Sequence, residues 1–144
     1  MTDDEEAAWA KIRITQTVDE LLKFGPSVEI GIAPVPFEGK GLITVLAQID
    51  TGAAGSGMSP RLTRKLNLKP VGKGEIREVG REPIVVNYFR VRLFLPSNDI
   101  EADIVGLLSL ELPHDVLIGR DILAKYRLII DFPRGLTGLW IKAP

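Results

Sequence analysis

Asp50 is the residue whose setting most invites chemistry. An apolar stretch over residues 42–49 runs straight into Asp50-Thr51-Gly52-Ala53. A carboxylate delivered by a buried strand is a candidate general base. A plain turn is the competing reading, because Asp, Thr and Gly all favour turns. Two further segments bear on the choice. Downstream, Val116-Leu117-Ile118 leads into Gly119-Arg120-Asp121, which read locally is a buried strand, a glycine turn and the start of a helix. Between them, residues 74–84 have the makings of a hairpin, with Val79 and Gly80 at its tip and Gly80 free to turn. With its alternating charges, this segment also suits an ordinary surface hairpin.

Other chemistries run out of residues. With no cysteine, neither a thiol nucleophile nor a disulfide framework is available. His114 is the single histidine, so one chain cannot build a multi-histidine zinc site, and no metal or other cofactor is expected. A serine triad would have to use His114 with Asp115 directly beside it, and adjacent residues do not readily supply a base and its orienting carboxylate. His114 is expected in a polar loop. Ser56 and Ser59 read as turn and cap residues, since neither sits in a Gly-x-Ser-x-Gly elbow. Gly72-Lys73-Gly74 is too short for a phosphate loop. Asp115, Asp121 and Asp131 suit ion pairs near the core, and Trp9 and Trp140 suit packing or an interface.

The elements that must position Asp50 follow from periodicity. Up to about residue 24 the chain reads as helical or disordered. Thr17 and Glu20 have capping-box spacing, Leu21 and Leu22 are expected to be buried, and Gly25-Pro26 stops the helix. Val28, Ile30 and Ile32 then alternate with Glu29 and Gly31 as in a half-buried strand. Ser59-Pro60 opens a short helix, with serine as N-cap and proline at the first helical position. Residues 84–95 form a long strand in which Phe89, Val91, Leu93 and Leu95 face inward opposite Arg90 and Arg92. Shorter strands are expected over residues 103–110, 116–118, 127–132 and 136–141, with one or two helical turns after Asp121. Many short strands, 14 glycines, 10 prolines and only brief helices indicate a mostly β, closed or sandwich-like fold.

Taken together, the Asp50-Thr51-Gly52-Ala53 loop, the Ile118-Gly119-Arg120-Asp121 segment and the intervening hairpin resemble the retropepsin-like aspartic peptidases. The resemblance covers roughly residues 45–132 and implies a closed acid-protease-type β-barrel with one or two short helices. In that family the aspartate points its carboxylate into a dry cleft, and the glycine two residues on brings its N–H to the carboxylate. The threonine binds across to its symmetry mate. Asp50 is then the catalytic carboxylate, supported by Thr51, Gly52 and Ala53. Val79 and Gly80 form the tip of a flap over the substrate, and Ile118, Gly119, Arg120 and Asp121 brace the loop from beneath. Two departures stand out. Ala54 occupies the position where retroviral members usually carry an acid that binds the arginine, so Arg120 needs another partner. The hairpin is charged where retroviral flaps are glycine-rich.

Asp-[Ser/Thr]-Gly occurs once in the sequence, so the resemblance implies an aspartic endopeptidase acting as a homodimer on a peptide or protein substrate. Its terminal strand around residues 139–141, with residues 28–32, is the expected dimer sheet. A catalytically silent binding or dimerisation module on the same fold is the alternative. The 144 residues suit one domain, read as an acidic extension with a short helix over residues 1–26 and a barrel over residues 27–144. Asp3, Asp4, Glu5 and Glu6 read as a solvated tail. A net charge of −1 points to neither nucleic acid nor a membrane surface. With no signal-peptide layout and no membrane-length apolar run, the expected location is cytoplasmic.

Overall fold

Alternation of buried and exposed side chains builds most of this molecule. The computed structural model describes residues 2–4, 13–77, 79–96 and 98–141, without the side chains of residues 13–15, 140 and 141. Strand β2 (Ser27–Pro34) buries Val28, Ile30 and Ile32 and turns Glu29 to solvent. It pairs antiparallel with β3 (Ile43–Ile49), which buries Val45, Ala47 and Ile49. Two-residue β4 (Gly57–Met58) follows, then β5 (Gly72–Ile76) and the long β6 (Ile84–Phe94). As the spacing predicts, Phe89, Val91, Leu93 and Leu95 are all buried. Strand β7 (Asp99–Gly106) begins earlier than the apolar pattern suggests. Its polar residues face those of β6: Arg90 lies opposite Asp103 and donates to it at 2.8 Å, and Arg92 lies opposite Glu101. Strand β8 (Val116–Ile118) runs parallel to β3.

These strands close on themselves. The order β2-β3-β8-β4-β7-β6 returns to β2 through a β2–β6 pairing, giving a six-stranded barrel with β5 hung on the outer side of β6. Its core includes Val28, Ile32, Met58, Val91, Leu93, Ile104, Val116 and Ile118. Burying each such side chain contributes about 1.5–3 kcal/mol.

A second sheet is built from the two ends of the chain. Strand β1 (Arg13–Thr15) pairs with β10 (Leu136–Ile141), and β10 pairs with β9 (Tyr126–Asp131), in the order β1-β10-β9. One expectation is corrected here. Residues 13–15 are strand, not helix or disordered chain: β-branched Ile14 and Thr15 complete an edge that β10 offers. Strand β10 pairs with β9 along its length and with β1 over residues 136–138, and β2 pairs with β3 over residues 27–32 and with β6 over residues 31–34.

Helix α1 (Val18–Phe24) has the expected capping box, with the Glu20 amide on Thr17 Oγ1 at 3.0 Å, and it ends at Gly25 with φ +75°. Only Leu21 is buried; Leu22 is exposed. Gln16 ties this region to the barrel. Its amide donates to Gly25 O at 3.0 Å, and its Oε1 accepts from Ser27 N and Thr137 Oγ1. Helix α2 (Pro60–Lys65) is capped by Ser59, whose Oγ accepts from Leu62 N. Helix α3 (Arg120–Leu123) is a single turn. Asp3 and Asp4 are exposed, while Glu5, Glu6 and Trp9 lie outside the described residues, as does the side chain of Trp140. Among the described residues, no helix is long and apolar enough to cross a membrane.

Candidate active site

Asp50 follows the last residue of β3, and its backbone N–H donates to Ile118 O at 2.9 Å, extending the β3–β8 pairing by one residue. Its half-buried side chain then meets the loop it introduces. The Gly52 N–H donates to Asp50 Oδ1 at 2.9 Å, and the Ala53 N–H donates to Asp50 O at 3.2 Å. A Cβ on Gly52 would lie 3.2 Å from the same Oδ1, so glycine lets amide and carboxylate approach. Thr51 and Gly52 are exposed at the turn.

The downstream segment is laced onto the other side of this loop. Arg120 N donates to Ala53 O at 2.8 Å and Asp121 N donates to Ala54 O at 3.2 Å. Gly119 is obligatory, since a Cβ there would stand 2.6 Å from Gly55 O and 2.9 Å from Ala53 O. Ile118 beneath it is fully buried. The partner that Arg120 lacks at Ala54 is a carbonyl: Nη1 donates to Thr51 O at 2.9 Å. Arg120 thus holds the loop's tip by a cation–dipole bond.

Ser56 is the residue sequence reasoning missed. Its neighbours suit a turn, yet it is 1% exposed and sits at the centre of the clamp. Its Oγ donates to Asp121 Oδ1 at 2.7 Å and accepts from Gly119 N at 2.9 Å, while its own N–H reaches Asp121 Oδ2 at 3.1 Å. Asp121 Oδ1 also accepts the Ile122 amide at 2.9 Å. One hydroxyl and one carboxylate therefore fasten the loop, β8 and α3 together. Nothing in Gly55-Ser56-Gly57 distinguishes this serine from a turn residue; only the strand pairing brings it beside Gly119.

Val79 and Gly80 sit at the end of the β5–β6 hairpin, whose last pair is Ile76 with Ile84. Gly80 has φ +75°, and Val79 is fully exposed; Glu78 lies outside the described residues. A cleft of about 200 Å³ runs beside the hairpin, lined by Ile76, Arg81, Ile84, Val86, Leu107 and Leu108.

His114 departs from expectation. It is 4% exposed rather than in an open polar loop, with Nε2 2.6 Å from Ser27 Oγ and its ring edge-on to Phe24. Burial pulls its pKa below the ordinary histidine value, against the opposing pull of Asp115. The pair is not a nucleophile with its base. Ser27 is itself 1% exposed and its Oγ also lies 3.1 Å from Gly25 O, so the hydroxyl is closed to any substrate. Asp115 is committed to Arg61 at 2.7 Å and Ser59 at 2.8 Å. Asp131 pairs with Arg134. Among the described residues, no three His, Cys, Asp or Glu side chains cluster to hold a metal ion.

No family model matches the sequence, and no curated protein matches it. Solved structures do. A retropepsin-like aspartic protease from Rickettsia conorii superposes with a TM-score of 0.52 at 17% identity, over 92% of this chain and 92% of that one. The Simian Foamy Virus (mac) protease gives 0.47 at 13% identity, over 69% of this chain and 92% of its own. The retroviral protease-like domain of Ddi1 from Leishmania major gives 0.46 at 18% identity, over 81% and 94%. On the match to the Rickettsia protein, with the closed six-stranded barrel, this chain has the retropepsin-like, acid-protease-type fold.

Proposed function

We propose that this chain is one half of an aspartic endopeptidase, and that two copies hydrolyse peptide bonds with a water held between their Asp50 carboxylates. The observation that carries the reading is the clamped loop. Asp50 leaves a core strand with its carboxylate on the Gly52 amide at 2.9 Å, on a turn fixed from beneath by Gly119, Arg120 and Ser56. Such fixing is what a catalytic carboxylate needs, because misplacement by about 1 Å can cost on the order of a hundredfold in rate.

One carboxylate does not suffice. Two that stand close cannot both ionise cheaply, so they share a proton and divide the work. The ionised one takes a proton from the water as it attacks, and the protonated one polarises the scissile carbonyl. With one Asp-Thr-Gly per chain, the second carboxylate comes from a second chain. The exposed Thr51 of each loop then faces its twofold mate, and the Val79–Gly80 hairpin tips close over the peptide. Residues 27–144 form the peptidase unit, and residues 1–26 form an extension that lends β1 to the terminal sheet.

The test is Asp50→Asn, combined with a dilution series. The variant should fold and associate normally but lose cleavage of a diverse peptide library, because an amide has the same shape and cannot act as base. Wild-type specific activity should rise with concentration and plateau once dimers dominate, and excess Asp50→Asn should poison it through mixed dimers. Full specific activity where the protein sediments as a monomer would sink the shared site. A dimer without turnover on any peptide would favour the silent binding module.

A further inference from the structure

Two cavities open beside the strand that carries Asp50. Period-two alternation buries Val45, Ala47 and Ile49 and turns Leu46, Gln48 and, one step past the strand end, Asp50 to the opposite face. Each cavity opens on one of these residues. The nearer to Asp50, of about 380 Å³, is lined by Gln48 with Lys23, Phe24, Glu111 and His114. The farther, of about 360 Å³, is lined by Leu46 with Gln16, Glu20, Phe24, Glu29 and Pro113. Phe24 is common to both, so this ring of α1 stands as the wall between them. The buried His114 ring braces it edge-on, with centroids 6.4 Å apart. The β2–β3 register sets Glu29 directly opposite Leu46, on the same face.

Spacing makes the cavities a pair. Alternate residues of a strand stand about 6.6–6.8 Å apart, and an extended peptide lying along β3 repeats at the same interval. Such a peptide presents every second side chain to the next cavity. Counting outward from Asp50, the first cavity receives the residue beside the scissile bond and the second receives the third residue. Their chemistry differs. In the first, the charges of Lys23 and Glu111 cancel. In the second, Leu46, Phe24 and Pro113 supply apolar walls, while Glu20 and Glu29 are exposed carboxylates, and neither forms an ion pair among the described residues. An apolar stem that ends in a cation satisfies both features, and lysine and arginine are the side chains built that way.

We propose that the cavity at Leu46 is a substrate subsite for a lysine or arginine side chain, recognised by Glu29 and Glu20 and walled by Phe24, so that peptides with a basic residue third from the scissile bond are preferred. A second copy repeats the cavity, and the preference then holds on either side of the bond. The inference rests on the endopeptidase reading and adds its substrate class. It also gives the extension over residues 1–26 a task beyond lending β1, since α1 supplies Glu20 and Phe24.

The test offers the full chain a diverse peptide library and reads it in two ways: cleavage by wild type, and selection of bound peptides by Asp50→Asn, which needs no turnover. Cleaved peptides should be enriched about three- to tenfold in lysine or arginine at the third residue from the bond, as expected of two solvent-exposed ion pairs, and the enrichment should fade as salt is raised. Resynthesised peptides with lysine or glutamine at that residue should differ in KM rather than kcat, because the contact is remote from the reacting atoms. Glu29→Gln should shrink the difference. Glu29→Lys should turn the preference toward glutamate at the same residue, a reversal that a merely structural role for Glu29 does not produce. Cleavage with no basic preference there, or with one that Glu29→Lys leaves unchanged, overturns the subsite and leaves the endopeptidase standing. Basic peptides selected by Asp50→Asn and lost on adding Glu29→Lys, with no cleavage by wild type, uphold the subsite and overturn the endopeptidase. Neither cleavage nor basic selection overturns both.

Discussion

Replacing Ser56 with alanine deletes one oxygen and leaves two groups unserved. The Gly119 N–H loses its acceptor at 2.9 Å in a fully buried position, where an orphaned donor costs about 1–3 kcal/mol. Asp121 loses a hydroxyl donor at 2.7 Å, but its carboxylate is exposed and keeps the Ser56 and Ile122 amides, so water offsets most of that loss and about 1 kcal/mol is expected. The sum is about 2–4 kcal/mol. In a chain of 144 residues this corresponds to a fall in melting temperature on the order of 5–15 °C. Urea unfolding followed by circular dichroism reads the stability directly, and the midpoint should move without a change in slope. Because Gly119 and Arg120 brace the loop that carries Asp50, kcat for peptide cleavage should fall more than KM rises. Asp121→Asn should lose a comparable amount, since its new NH₂ would face the Ser56 donors. The double variant should lose less than the sum of the singles by about 1 kcal/mol, as groups sharing one network do. A Ser56→Ala protein within about 0.5 kcal/mol of wild type, with the double-mutant cycle additive, would refute the clamp.

Two further perturbations reach other parts of the site. At Gly80, φ is +75° with open space around the missing Cβ, so Gly80→Val should cost about 1–2 kcal/mol of backbone strain, chiefly within the hairpin. Cleavage should fall roughly tenfold with kcat and KM moving together, and unchanged kinetics would place the flap elsewhere. His114 sets a pH dependence of stability. Burial lowers its folded-state pKa, so on acidification the unfolded chain takes up the proton first; the stability is fully present above the ordinary value of about 6.5 and is lost as pH falls through the folded value. Melting temperatures from neutral to mildly acidic pH should therefore drop more steeply for wild type than for His114→Gln, and parallel curves would contradict the assignment.

The parts of this fold legible in the sequence are those governed by local rules. Capping at Thr17 and Ser59 depends on a few consecutive residues, and the inward set Phe89, Val91, Leu93 and Leu95 depends on period-two alternation alone. The placement of Asp50 at a strand end was legible for the same reason, since a continuous apolar run stops there. Long-range pairing was not. Strand β1 exists because β10, more than 120 residues later, offers an edge. His114 is buried because Ser27 and Phe24 meet it across 87 and 90 positions, although its neighbours Pro113 and Asp115 read as loop. Ser56 looks like a turn residue because its partners, Gly119 and Asp121, arrive only with the antiparallel β4–β8 pairing.

With alanine at position 54, the site holds together without an ion pair between Arg120 and the stem of its loop. An arginine beside a loop must find oxygen, and here the nearest is a main-chain carbonyl at the turn itself, Thr51 O at 2.9 Å. A charged donor on a neutral acceptor is still a strong bond, about 1.5–3 kcal/mol where water is excluded and less here, since Arg120 is exposed. The loop is held by other groups as well: the Arg120 and Asp121 amides on Ala53 and Ala54, and the Ser56–Asp121–Gly119 clamp, in which the acid sits at the start of the helix. The loop is thus braced by neutral backbone contacts, the buried Ser56–Gly119 bond and one exposed carboxylate. Its rigidity should accordingly depend little on salt, which screens surface ion pairs within about 8–10 Å at ordinary ionic strength, and much on the single hydroxyl of Ser56.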